Sequence, residues 1–303
     1  MRIRDIGEIG LIKRFAKKIR VDSSVVKGSG DDTAVIKWTK DKYLLFTCDM
    51  LVEDVHFKLK NATPLQIGYK ALARNISDIA AMGGMPRHAV VSMGMSPDMD
   101  VAVADGILNG MLALTRRYKI NIVGGDVSRA DKLVIDVSLI GEVGKKDLVL
   151  RSGAKAGDLI LVTGTIGGSI KSKHLNFTPR VDEARRLVKN YKINSMIDVS
   201  DGLVLDLGRI LKASNTGAWI HESLIPISKE ADSFDKAISD GEDFELLFTM
   251  SPKEAMRLLG SGQALMKTPV TVIGEITNKK DGYKLIRESG GVEKIGLKGY
   301  LHF

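Results

Sequence analysis

Strand-like and helix-like stretches alternate through both halves of this chain, which predicts an α/β (α+β) protein of two domains. Its 303 residues exceed the usual span of one domain. With 44% hydrophobic residues there is enough chain to bury a sizeable core. Aromatics make up only 5%, so Leu, Ile, Val, Met and Ala must supply most of it. The strand and helix signals are interleaved, as layered α/β and α+β folds require.

In chain order, Ile9, Ile12, Phe15, Ala16 and Ile19 recur at helical spacing and predict a helix over 5–20. A loop at 27–32 (KGSGDD) leads into strands at 33–38 and 43–47. Thr63 caps a long helix that stops at Gly83-Gly84; Pro64 fits its first turn and Gln66 completes a capping box. A strand at 89–93 precedes a helix that Ser96-Pro97 opens and that reaches Tyr118. A short strand enters Gly124-Gly125-Asp126, and an alternating strand spans 133–143. The small, polar stretch 151–158 (RSGAKAGD) marks the boundary, dividing the chain into domains 1–148 and 149–303. Beyond it, strands are predicted at 159–163, 196–199, 218–221, 244–249 and 270–276, with helices at 179–190, 202–213 and 252–259. Ile140-Gly141-Glu142-Val143 is echoed by Ile273-Gly274-Glu275-Ile276, as two halves of related build would produce.

The net charge of +8 is spread along the chain without a block of five like charges. Such a field draws in anionic substrates. It argues against a nucleic-acid-binding protein, which calls for a basic stripe with stacking aromatics. Cys48 is the single cysteine, so no intrachain disulfide forms and a reducing cytoplasm is expected. No run of 18 apolar residues predicts a membrane span, and the acidic residues of MRIRDIGEIG exclude a signal peptide there.

Six short motifs set acids among Gly, Ser or Thr: Gly30-Asp31-Asp32, Thr47-Cys48-Asp49, Asn75-Ile76-Ser77-Asp78, Gly124-Gly125-Asp126, Asp198-Val199-Ser200-Asp201-Gly202 and Asp240-Gly241-Glu242-Asp243. Most fall where a strand ends or a helix begins, the edge at which layered α/β proteins bind ligands. Aspartates with small neighbours can converge on one point. Two like charges about 4 Å apart repel by roughly 4 kcal/mol at an effective dielectric near 20, so a cluster calls for cations. Magnesium, an oxygen-seeking ion shared between carboxylates and phosphates, meets that need.

Any one motif also fits a turn or a cap. Gly124-Gly125-Asp126 reads as a tight turn, Asp78 as a partner of Arg74, and Ser200 as a helix cap. Their joint occurrence points to one site. Walker A and G-x-G-x-x-G patterns are absent from the sequence, and its five histidines include no pair at zinc-ligand spacing. Gly164-Thr165-Ile166-Gly167-Gly168 follows a strand and offers a weak phosphate-loop signal; close strand–helix packing is its other reading.

The ordered set GSGDDTAV, TCDMLVEDVHF, YKALARNISDIAAMGGMP, GGDVSR, RSGAKAGDLILVTGTIG, MIDVSDGLVLDLGRI, DGEDFELLFT, VIGEI and KGYLHF resembles the thiamine-monophosphate kinase family over almost the whole chain. The wider group, related to aminoimidazole ribonucleotide synthetase, shares the acidic glycine loops. The resemblance implies a two-domain aminoimidazole ribonucleotide synthetase-like fold: an N-terminal mixed sheet with helices that dimerises and binds ATP and magnesium, plus a C-terminal α/β domain. It implies transfer of the γ-phosphoryl of ATP directly onto thiamine phosphate, with several Mg2+ ions. Carried over, the metal ligands are Asp32, Thr47, Cys48, Asp49, Asp78, Asp126, Asp198 and Asp201. ATP is held by Gly125, Asp126, Arg151 and Ser200, and thiamine phosphate by His56, Glu242, Leu297 and Tyr300.

Cys48 stands where a hydroxyl residue is usual, and a thiol is a poor magnesium ligand. Leu297 stands where an aromatic often lines the pocket, and 174–180 (HLNFTPR) only partly matches the family's run. The acceptor phosphate oxygen is already anionic, so no single catalytic base is expected. Another ATP-dependent enzyme of the same superfamily is the alternative, and a basic nucleic-acid-binding protein the remote one.

Overall fold

Two sheets with one long helix between them form the centre of the molecule. The computed structural model describes residues 1–300 and 302, with Ser261 described in its backbone alone. Leu301 and Phe303 of the terminal KGYLHF motif lie outside the described residues.

The first sheet contains β1 (Val25–Lys27), β2 (Ala34–Lys37), β3 (Lys42–Val52), β4 (Met85–Met95), β5 (Asn121–Arg129) and β6 (Val134–Gly144), in the order β1-β2-β3-β6-β4-β5. All pairs are antiparallel except β4–β5. β6 alternates cleanly: Ile135, Val137 and Leu139 are fully buried, while Asp136 and Ser138 face the other way. The buried face packs on α2 (Pro64–Ala81), and α3 (Val101–Tyr118) packs on α2 in turn. The opposite face carries Phe46, Met50 and Val90, at 43%, 52% and 43% exposure, with no cover from this chain's described residues.

The second sheet runs β13-β12-β9-β11-β7-β10-β8. Its strands are β7 (Leu159–Thr163), β8 (Ser195–Asp198), β9 (Thr216–His221), β10 (Leu246–Met250), β11 (Val270–Asn278), β12 (Tyr283–Ile286) and β13 (Val292–Lys294). α5 (Leu203–Ser214) covers one face with Leu203, Leu207 and Ile210. The other face, through Leu161, Met196 and Phe248, joins the core built on α2 and α4 (Val181–Asn190). Two short helices, α6 (Phe234–Ala237) and α7 (Pro252–Arg257), complete the set. Helix α2 is therefore buried from both sides, and Thr63 with Gln66 forms the expected capping box at its start.

Three elements differ from expectation. The first helix, α1, spans Ile3–Ala16, is interrupted at Gly7 (φ 62°), and buries none of its residues. Its apolar stripe finds no core among the described residues. The helix expected from Ser96-Pro97 begins at Val101, because Asp100 caps it through Ala102 N (2.9 Å) while Ser96 shapes a preceding turn. Gly124-Gly125-Asp126 is strand rather than turn: a Cβ on Gly125 would stand 1.8 Å from Val91 O, so glycine lets β5 approach β4.

Candidate active site

Asp32, Asp78 and Asp198 each offer a carboxylate oxygen, all within 4.8 Å of one another. They reach that point from the loop before β2, the last turn of α2 and the end of β8. Small residues allow it. Gly30 adopts φ 104° beside Asp32, Ser77 donates to Asp198 at 2.5 Å, and Thr47 on β3 donates to Asp78 at 2.6 Å. Arg151 donates from its guanidinium to Asp32 (2.7 Å) and from its backbone N–H to Asp31 (3.0 Å). The remaining oxygens Asp31 Oδ2 and Asp32 Oδ2 are buried without a hydrogen-bond partner. Burial pushes the carboxyls of Asp78 and Asp198 well above the ordinary range; the neighbouring acids Asp49 and Asp32, respectively, push them the same way. Hard oxygen donors, crowded and short of positive charge, fit divalent magnesium.

The second acidic rim is built by two loops bonded to each other. Glu242 N donates to Ser200 O and Phe244 N to Val199 O, both at 2.8 Å. Gly241 (φ 76°) is required there, since a Cβ would strike Ser200 O at 2.5 Å. Asp201 pairs with Arg209 at 2.5 Å, and Arg209 also pairs with Asp206. The Asp206 carboxylate accepts from Ser200 N and Asp201 N (3.1 and 3.0 Å), and burial raises its pKa to about 7. Ser200 thus does not cap α5; Gly202 occupies that position.

The terminal segment crosses this rim. Tyr300 N donates to Asp201 O at 2.9 Å. The rings of Tyr300 and His56 each lie edge-on to His302, at 5.0 and 5.1 Å. His56 accepts from Val52 N at 3.0 Å, and burial together with Arg74 lowers its pKa to about 3, so the ring is neutral at physiological pH.

Family models describe the same two halves: AIR synthase related protein, N-terminal domain, over residues 30–143, and its C-terminal domain over 155–286. The thiamine-monophosphate kinase of Bacillus subtilis (strain 168) is 36% identical, covering 98% of this chain and all of that one. That of Rhodopirellula baltica is 36% identical over 92% of each chain. The solved structure of AaThiL complexed with AMPPCP and TMP matches with a TM-score of 0.85 and 30% identity, over 100% of this chain and 99% of that one. The chain belongs to the thiamine-monophosphate kinase family.

Not every residue expected from that family resemblance meets the others. Asp32, Thr47, Asp49, Asp78, Asp198, Asp201, Arg151 and Ser200 lie about the cleft between the sheets, with His56, Glu242 and Tyr300 at its outer end. Cys48 lies one residue from Thr47 on a strand, so its thiol emerges on the opposite face, donating to Asp136 at 3.3 Å. Only its backbone remains for a metal. Asp126 shares that uncovered face, in register with Ser92, Asp136 and Met50, while Gly125 falls on the core-facing row with Val91 and Val137. Leu297 packs on Gly208 of α5.

In this thiamine-monophosphate kinase family member, three cleft residues were not among the expected site residues: Lys70, Arg74 and His174. Lys70 is fully buried, its ammonium donating to His56 O (3.1 Å) and pairing with Glu242 (2.6 Å) beside His174 Nδ1 (3.1 Å). Glu242 takes the left-handed backbone (φ 62°), a strained position that this pairing offsets. The signal was present in the sequence, since Lys70, Arg74 and Asp78 stand four apart on one helix face. The Gly164–Gly168 stretch is packing, not a phosphate loop: Cβ atoms on Gly167 and Gly168 would strike Ala237 and Glu230 at 2.5 Å.

Proposed function

We propose that this chain transfers the γ-phosphoryl group of ATP to thiamine phosphate, yielding thiamine diphosphate and ADP. The observation that carries the reading is the convergence of Asp32, Asp78 and Asp198 in a buried cleft with unmatched negative charge. The named kinase relatives and the neighbour complexed with an ATP analogue and TMP support the choice of both substrates.

In the reaction, a phosphate oxygen of thiamine phosphate forms a bond to the γ-phosphorus. The bond from that phosphorus to the β,γ-bridging oxygen breaks, and ADP departs. The attacking oxygen is already anionic, so no side chain needs to take a proton. The obstacle is repulsion between two anions. Asp32, Asp78, Asp198, Asp49 and Asp201 would hold magnesium, which when bound offsets phosphate charge. Arg151 and the Ser200 backbone fix the loops around the nucleotide phosphates. His56, Glu242 and Tyr300 enclose the thiamine end, and the neutral His56 ring suits a cationic heterocycle.

The nucleotide base belongs in the apolar groove of about 330 Å³ between α3 and β5, lined by Met93, Leu108, Met111 and Ile122 with Gly125 and Asp126 at its rim. Residues 1–148 form the dimerising, ATP- and magnesium-binding domain in this reading, and 149–303 the C-terminal α/β domain. A homodimer on the uncovered sheet face assigns Asp126 to the boundary between copies. The enzyme acts in the cytoplasm; no helix among the described residues is long and apolar enough to cross a membrane.

The test is ADP release by the purified enzyme with ATP and thiamine phosphate, with and without magnesium. Release requiring both is the expected result. Magnesium-dependent ADP release that ignores thiamine phosphate and responds to another acceptor moves the chain to a different activity of the superfamily.

A further inference from the structure

The proposed reaction needs a group that receives the acceptor phosphate, and none of the residues carried over from the family supplies a cation for it. Buried or half-buried cations line the cleft, among them Lys70, Arg74, Arg151 and Arg209. Lys70 is committed to Glu242 and His56 O. Arg151 is committed to Asp32, and Arg209 to Asp201 and Asp206. Arg74 differs. Its Nε, like that of Arg151, is buried without a hydrogen-bond partner, but unlike Arg151 it makes no short ion pair. Its nearest carboxylate, Asp49, stands 3.6 Å away, beyond a hydrogen bond, and its Nη1 makes one long contact of 3.4 Å to Met50 O. A guanidinium carries five N–H donors, and most of these have no acceptor among the described residues.

Its position is equally specific. Arg74 lies one turn from Lys70 and one turn from Asp78 on the same face of α2. Four carboxylates bear on it: Asp49, Glu242, Asp78 and Asp201. It is also the cation that both His56 and Tyr300 feel. The half-buried side chain, 16% exposed, keeps a path to the cleft. A fork-shaped cation with unused donors, between the metal acids and the residues enclosing a heterocycle, matches a phosphate monoester whose other end is that heterocycle.

We infer that Arg74 binds the phosphate of the acceptor, holding it between the carboxylate cluster and the His56–Tyr300 end of the cleft. The inference rests on the thiamine phosphate kinase reading, and its test separates the two. Dissociation constants for thiamine phosphate and for thiamine, which lacks the phosphate, are measured with magnesium and without ATP, for the wild type, Arg74→Gln and Arg74→Lys. The wild type is expected to prefer thiamine phosphate. Arg74→Gln is expected to lose that preference, its affinity for thiamine phosphate falling about 10- to 100-fold, with thiamine binding unchanged. Arg74→Lys, which keeps the charge without the fork, is expected to fall between. A wild-type preference retained in a folded Arg74→Gln overturns the inference while leaving the kinase reading intact. Should Arg74→Gln not fold, a wild-type preference in Arg74→Lys overturns it equally. A wild type that binds neither ligand and releases no ADP removes the kinase reading itself, and the inference with it.

Discussion

Asp78 and Asp198 are held where a carboxylate is least comfortable, and the linkage sign follows from that. Their folded pKa values lie above those of the unfolded chain, as does that of Asp206 at about 7. The folded protein therefore binds protons that the unfolded chain releases. Without metal, this part of the stability is full below the ordinary carboxylate range and is lost as pH rises toward 7 and beyond. Magnesium bound at this cluster would displace those protons. Titrating the ion at pH 7 in buffers of different ionisation enthalpy is expected to reveal proton release, and affinity is expected to tighten as pH rises; a flat pH dependence would contradict the cluster. Asp198→Asn removes one repelling charge, so its metal-free melting temperature is expected to equal or exceed the wild type's. Its turnover is expected to fall at least ~100-fold, since metal-held charge stabilisation is worth several kcal/mol. These acids were legible in the sequence because glycine and serine flank them. Lys70 and Arg74 were not, because lysine and arginine on a helix ordinarily read as solvated charge, and their burial follows from a second sheet closing over α2.

At the scale of elements, α2 brings the site together, and its register against α3 is set by glycine. A Cβ on Gly68 would lie 1.8 Å from Ile107 O, and one on Gly110 would lie 2.0 Å from Leu65 O. The two helices touch backbone to backbone, so neither can gain a side chain without sliding. Gly68→Val is expected to cost about 2–3 kcal/mol and to lower the melting temperature by several degrees in a calorimetric scan. Because Lys70, Arg74 and Asp78 ride on the same helix, thiamine phosphate affinity is expected to weaken as well. Gly28→Ala, in open space, is the control expected to melt as the wild type does. The capping box at Thr63 made this helix readable from sequence, as alternation did for β6. The start of α3 was misplaced because Ser-Pro and Asp-x-x both suit a helix entrance, and Asp100 won because its carboxylate accepts a hydrogen bond from Ala102 N. Periodicity found α1 correctly as amphipathic but was silent on what its apolar face meets.

For the whole molecule, the interleaved strands and helices disclosed the layered architecture, but not which sheet face stays bare. The alternation that buries Ile135 and Val137 also sends Phe46, Met50 and Val90 outward, and a period-2 pattern does not say what covers its second face. Strands β3, β6, β4 and β5 span roughly 30 Å by 14 Å at standard spacings, a flat projection of about 400 Å². Side-chain relief enlarges this area toward the about 800 Å² per partner of a stable interface. Asp126 lies on this face, so losing the partner is expected to damage the site as well as the assembly. The wild type is expected to sediment at twice the 33.0 kDa of one chain. Val90→Glu places a charge beside Gly124 in the middle of the face, without touching the buried side of the sheet. It is expected to shift sedimentation toward the monomer and to raise the KM for ATP, while the thermal transition of the single chain persists. Monomeric wild-type enzyme with full turnover would rule out the shared boundary and return Asp126 to a purely structural place on β5.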